Sequence, residues 1–147
     1  MTAPARVLLV ANRTASTEPL REAVRARVAR GPATFHLVVP RHPPGLHKLV
    51  DPQDGDFGEA ERTLADALGP LSEAAGGPVT GNVGSSEPLM AIEDAVNLSH
   101  YDEIIISTLP RHISRWLRLD LVSKARGLGL PVTHVEAVSE SEETPVT

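Results

Sequence analysis

Five short aliphatic runs punctuate the chain, and each has the character of a strand buried on both faces of a parallel sheet: Arg6–Ala11 (RVLLVA), Phe35–Val39, Val79–Val83, Ile104–Ser107 and Val132–Val135. Between the first two, Leu20, Val24 and Val28 recur at i, i+4 and i+8, while Glu18/Arg21 and Glu22/Arg25 stand three apart, which predicts an amphipathic helix over Glu18–Arg30. Leu64, Leu68 and Leu71 mark a second helix over Ala60–Ala75, stopped by Gly76-Gly77-Pro78. Pro70 is expected to kink or split it, because its ring removes a backbone donor inside the helix.

Ser86-Glu87-Pro88 predicts a third helix opened by a capping side chain and an early proline, with Leu89, Ile92 and Val96 as its buried stripe and an end near 97–100. Ser114 caps a fourth, containing Trp116, Leu117, Leu121 and Val122, which Gly127 and Gly129 end before Pro131. Strands alternating with helices predict a doubly wound α/β fold with a parallel sheet and helices on both faces. Two segments fall outside the alternation. Residues 41–58, rich in Pro, Asp, Gly and His, read as a long loop, and the acidic tail 139–147 reads as disordered, leaving 1–138 as one domain.

A length of 147 residues agrees with a single domain. Four aromatic residues leave the core to Val, Leu, Ile and Ala. The absence of cysteine excludes disulfides, thiolate nucleophiles and thiolate metal sites. No apolar run approaches the roughly 20 residues needed to span a bilayer, and the N-terminus lacks a signal-peptide pattern, so a soluble, cytoplasmic protein is expected.

A net charge of −5 argues against general nucleic-acid binding. Its distribution changes the picture. Basic residues dominate 1–30 and 104–126, and acids dominate the stretch 51–103 between them. The fold decides whether the two basic segments meet.

Ligands of open α/β sheets bind beyond the carboxyl ends of the strands. After the first strand, Asn12-Arg13-Thr14-Ala15-Ser16-Thr17 has no glycine, which excludes both the dinucleotide turn and the phosphate loop of P-loop enzymes. The acidic residues of a phosphoacceptor receiver are missing there too, and neither GxSxG nor HExxH occurs. His42, His47, Asp51, Asp54 and Asp56 match no rigid metal spacing, so no metal site is expected. His36 and His134, inside strand-like runs, read as satisfied strand side chains. No nucleophile is paired with a base, so the chain is not expected to be an enzyme.

After the fourth strand, Arg111, His112, Ser114 and Arg115 fall between a buried strand and a helix N-terminus, where free backbone N–H groups and the helix dipole favour an anion. The same arginines with Arg118 also suit a solvated helix face, with Ser114 only a cap.

The opening RVLLVANRT, the stretch GSSEPLMAIEDAVNLSHYDEIIIS and the closing LGLPVTHV resemble the universal stress protein family over about residues 5–137. The resemblance implies strand order 3-2-1-4-5, which makes the first and fourth strands neighbours and brings Arg13 towards Arg111–Arg115. It also implies an adenine edge against the backbone of Val38 and Val39, and a homodimer through the edge strand Pro131–Val135. Members that bind ATP cradle it with Gly-x2-Gly-x9-Gly-[Ser/Thr]. In register, those positions are Ser107, Pro110, Asp120 and Leu121, so every motif position is replaced. Pro110 has no amide hydrogen and Asp120 repels phosphate, which argues against ATP held in the family's manner.

The expected ligand site is therefore Asn12, Arg13, Thr14, Val38, Val39, Ser107, Thr108, Arg111, His112, Ser114 and Arg115, with side chains replacing the glycine loop around a phosphate-bearing ligand. Three functions follow: a non-enzymatic, dimeric ligand- or partner-binding domain of universal stress protein type; a nucleotide binder, with ATP or AMP as ligand; or an interaction adaptor with an empty crevice.

Overall fold

The computed structural model describes residues 4–41, 56–109 and 121–136. The chain alternates strand and helix: β1 (Ala5–Val10), a 3-10 turn (Arg13–Ser16), α1 (Glu18–Ala29), β2 (Ala33–Pro40), α2 (Asp56–Ala75), β3 (Thr80–Gly84), α3 (Pro88–Leu98), β4 (Glu103–Thr108), α4 (Leu121–Arg126) and β5 (Val132–Glu136). All four strand pairings are parallel, in the order β3-β2-β1-β4-β5, so β1 sits at the centre with β2 and β4 on either side. The doubly wound α/β prediction and its strand order hold.

The side-chain period of two sorts each strand between two cores. Val7, Leu9, Phe35, Leu37, Val39 and Ile105 pack with Leu20 and Val24 of α1 and with Leu64, Ala67 and Leu71 of α2. Leu8, Val10, Val38, Ile104 and Ile106 face the other way, onto Ala91 and Ile92 of α3 and Leu121, Val122 and Ala125 of α4. The central strand is fully buried from Val7 to Val10, which is why its sequence is continuous rather than alternating.

Local chemistry corrects several boundaries. Helix α2 is not split: it runs through Pro70, since Leu64, Ala67 and Leu71 on either side are buried and anchor both segments to one core. It begins at Asp56, so residues 56–58, expected in the loop, are helical. Its end is a glycine stop, with Gly76 at φ +73° and the N–H groups of Gly76 and Gly77 both donating to the Ser72 carbonyl. Ser72 also takes the Val79 N–H on its hydroxyl, which leaves Val79 outside β3.

The cap of α3 is Glu87 and not Ser86, and its side chain makes no cap bond; the Glu87 N–H donates instead to Ser85 Oγ at 3.1 Å. The 3-10 turn after β1 went unread, because RTAS carries no periodic signal. The long-loop residues 42–55 and the acidic tail lie outside the described residues. No helix among the described residues is long and apolar enough to cross a membrane.

Candidate functional site

The carboxyl ends of β1, β2 and β4 lie side by side, because β1 pairs with both neighbours. Asn12 leaves β1 there, and its Nδ2 donates to the Pro40 carbonyl at 2.8 Å, tying the ends of β1 and β2. Its Oδ1 is buried and has no hydrogen-bond partner among the described residues. An acceptor so placed costs about 1–3 kcal/mol unless something donates to it.

Two positions on, Thr14 joins β1 to β4. Its Oγ1 donates to the Ser107 carbonyl at 3.2 Å and accepts from the Ser107 hydroxyl at 2.8 Å. Thr14 and Ser107 are 2% and 0% exposed, so both hydroxyls are engaged within this strut and not presented to solvent. Val38 and Val39 are also buried; they lie in the ladder between β1 and β3, and the Val38 carbonyl takes the Ala11 N–H at 3.3 Å.

Thr108 Oγ1 and His134 Nε2 are 2.7 Å apart, linking β4 to β5. Burial lowers the His134 pKa; Glu136 opposes that shift and Arg126 adds to it. A hydroxyl beside an imidazole has the composition of an activated nucleophile, but Thr108 is only 2% exposed and its oxygen is closed to a substrate. His36 is held likewise, by Thr80 Oγ1 at 2.7 Å and Asn82 Oδ1 at 2.5 Å, so both strand imidazoles are partnered by strand neighbours. No group of three or more metal-ligating side chains occurs among the described residues.

Of the expected ligand residues, the structure brings Asn12, Thr14, Val38, Val39, Ser107 and Thr108 together at one end of the sheet. The Arg13 side chain and Arg111, His112, Ser114 and Arg115 lie outside what is described, as do Pro110 and Asp120. The Thr14–Ser107 pair was not foreseen as a strut. Its sequence signal is the hydroxyl pair Ser107-Thr108 that closes the aliphatic run Ile104–Ile106 of β4.

No family model and no curated protein matches the chain. Solved structures do. A universal stress protein from Archaeoglobus fulgidus superposes with a TM-score of 0.62 at 20% identity, covering 89% of this chain and 93% of that one. The universal stress protein from the same organism in complex with dAMP gives 0.57 at 21% identity, over 92% and 99% of the two chains. A universal stress protein in complex with cAMP gives 0.63 at 14% identity, again over 92% and 99%. With its 3-2-1-4-5 parallel sheet, the chain carries the universal stress protein fold.

Proposed function

We propose that this chain is a non-enzymatic domain of universal stress protein type that binds a small ligand beyond the ends of β1 and β4, without the family's glycine cradle. The observation that carries this reading is Asn12 Oδ1, a buried acceptor at the strand-order switch with no partner among the described residues. A ligand hydroxyl or amino group reaches this oxygen only by opening the contacts that now bury it, and its hydrogen bond then offsets the cost of desolvation. Partnered imidazoles and buried hydroxyls leave no activated nucleophile among the described residues, which supports binding rather than catalysis.

The bound dAMP and cAMP of two structural neighbours favour an adenine nucleotide such as AMP or ATP as that ligand. Its phosphate would fall to Arg111, His112, Ser114 and Arg115, whose side chains replace the glycine loop in sequence. Strand β5 lies at the sheet edge, pairing only with β4, and in this reading it also joins two copies into a homodimer.

Native mass spectrometry of freshly purified protein tests both parts, followed by calorimetric titration with AMP, ATP and cAMP. The expected result is a dimer that binds at least one of the three, with affinity reduced about tenfold or more in Asn12→Ala, the loss of one buried hydrogen bond. A protein that binds none of them overturns the nucleotide reading, and a monomer across micromolar concentrations overturns the dimer.

A further inference from the structure

A cavity runs along the α3 face of the sheet, from Arg6 and Thr34 at the amino ends of the strands to Arg41 and Ser85 at the carboxyl ends. Helix α3 sits tightly over the carboxyl half of β2 and β3: a Cβ built on Gly84 would stand 2.9 Å from Val38 Cγ1 and 3.0 Å from Ala91 Cβ. Towards its own C-terminus, at Asp94 and Leu98, the helix becomes one wall of this cavity, of about 800 Å³. Arg6 of β1, Thr34 and His36 of β2, Thr80 of β3, and Tyr101 line the rest of this half. That volume falls within the range of small-molecule sites, roughly 300–1,000 Å³. These residues lie towards the amino ends of the strands, while the same cavity runs on past Val38 to Arg41 and Ser85 at the carboxyl end, where Asn12 holds the Pro40 carbonyl.

The chemistry of the cavity is specific. Asn82 donates from Nδ2 to the Val83 carbonyl, which turns its Oδ1 to His36 and makes His36 Nε2 the donor, while Nδ1 lies 2.7 Å from the Thr80 hydroxyl. With both nitrogens engaged, the imidazole is fixed. The Tyr101 ring lies 6.4 Å from it, tilted by 40°. The Arg6 guanidinium carbon lies 5.4 Å from the Tyr101 centroid and makes no ion pair among the described residues. The neighbouring carboxylate of Asp102 is already occupied, by the Arg6 backbone N–H at 2.8 Å and by His100 at 2.9 Å. Across from these groups, Leu98 is 84% exposed, a large apolar side chain on the rim.

We propose that this groove is a second binding site, for a planar aromatic carboxylate. The carboxylate pairs with the Arg6 fork, which matches it in planarity and charge. The ligand ring packs against Tyr101 and His36 and covers Leu98. Asp94 on the helix wall repels a second negative charge and sets the orientation, carboxylate towards β1 and ring towards α3. The site stands independently of the nucleotide reading.

Amide chemical-shift mapping by NMR tests it, with benzoate as the probe, benzamide as its neutral counterpart and cyclohexanecarboxylate as its non-planar one. Benzoate is expected to give saturable shifts at Thr34, His36, Thr80, Leu98 and Tyr101. Benzamide, cyclohexanecarboxylate, and benzoate added to Arg6→Gln should each bind about tenfold more weakly or worse, the worth of one charge-assisted contact. Arg6 is exposed, so Arg6→Gln should keep the wild-type melting temperature. Benzoate shifts that are absent, that fall at Asn12 and Ser107 instead, or that either control reproduces at equal affinity overturn the proposal.

Discussion

Thr14 and Ser107, 93 residues apart, exchange two hydrogen bonds at 2.8 and 3.2 Å and fasten the ends of β1 and β4. Both are buried, so removing one partner strands the other. Thr14→Val is expected to cost about 1–3 kcal/mol in chemical denaturation, as the Ser107 hydroxyl loses its acceptor and the Ser107 carbonyl a donor. Thr14→Val with Ser107→Ala should cost less than the sum of the single changes, since both ends of the hydroxyl–hydroxyl bond are then removed and only the Ser107 carbonyl still lacks its donor. Additive losses would mean that the two hydroxyls act separately.

Arg27 of α1 reaches Glu103 at the start of β4, Nε to Oε2 at 2.8 Å, with the side chains only 12% and 15% exposed. Poor hydration makes breaking this pair costlier than breaking the exposed Arg21–Glu18 and Arg25–Glu22 bridges on the same helix, because the partner left behind is a poorly hydrated, unpaired charge. Arg27→Ala is expected to destabilise by about 2–4 kcal/mol, and clearly more than Arg25→Ala, whose bridges stand in solvent, both read from urea unfolding. Equal losses would contradict the role of burial.

At Gly81, β3 lies close under the leucines of α2 and beside the backbone of β2. A Cβ there would lie 2.6 Å from Leu64 Cδ1 and 2.8 Å from the Leu37 carbonyl oxygen. The leucine can turn away, but the carbonyl belongs to β2 and cannot. Gly81→Ala is expected to cost about 1–3 kcal/mol despite alanine's better intrinsic fit to a strand, and an unchanged melting temperature would refute the close contact.

The pKa of His134 is lowered in the fold, chiefly by burial. The unfolded chain therefore binds its proton first, near the ordinary imidazole value of about 6.5. Stability from the neutral ring is complete above that value and is lost as pH falls through it towards the lowered folded value. Wild-type protein should thus lose melting temperature as pH falls below about 6.5. His134→Gln, which keeps a partner for Thr108, should flatten that part of the profile; an unchanged slope would place the titration elsewhere.

Strand positions were legible because burial on both faces demands unbroken aliphatic runs, as in Val7–Val10 and Ile104–Ile106. The helix Glu18–Ala29 was legible because Leu20 and Val24 must reach one core. Pro70 misled, because a proline's local cost is outweighed when Leu64, Ala67 and Leu71 all bury into the same layer. The polar alternation of Thr34 and His36 within β2 was the one available sign that part of the α3 face is left uncovered.

By itself, the sequence determined which segments are strands and helices, and with them the α/β class, since periodicity reflects burial residue by residue. Its missing glycines also determined that no standard phosphate loop follows β1. Tertiary structure alone decided that Thr14 spends its hydroxyl on Ser107, that Asn12 keeps one buried oxygen unpaired, and that Arg6 lies over Tyr101 beside His36. Each of these joins residues distant in the chain, and hydrogen bonding and stacking depend on separations of a few ångströms that only the pairing of strands and the packing of helices set.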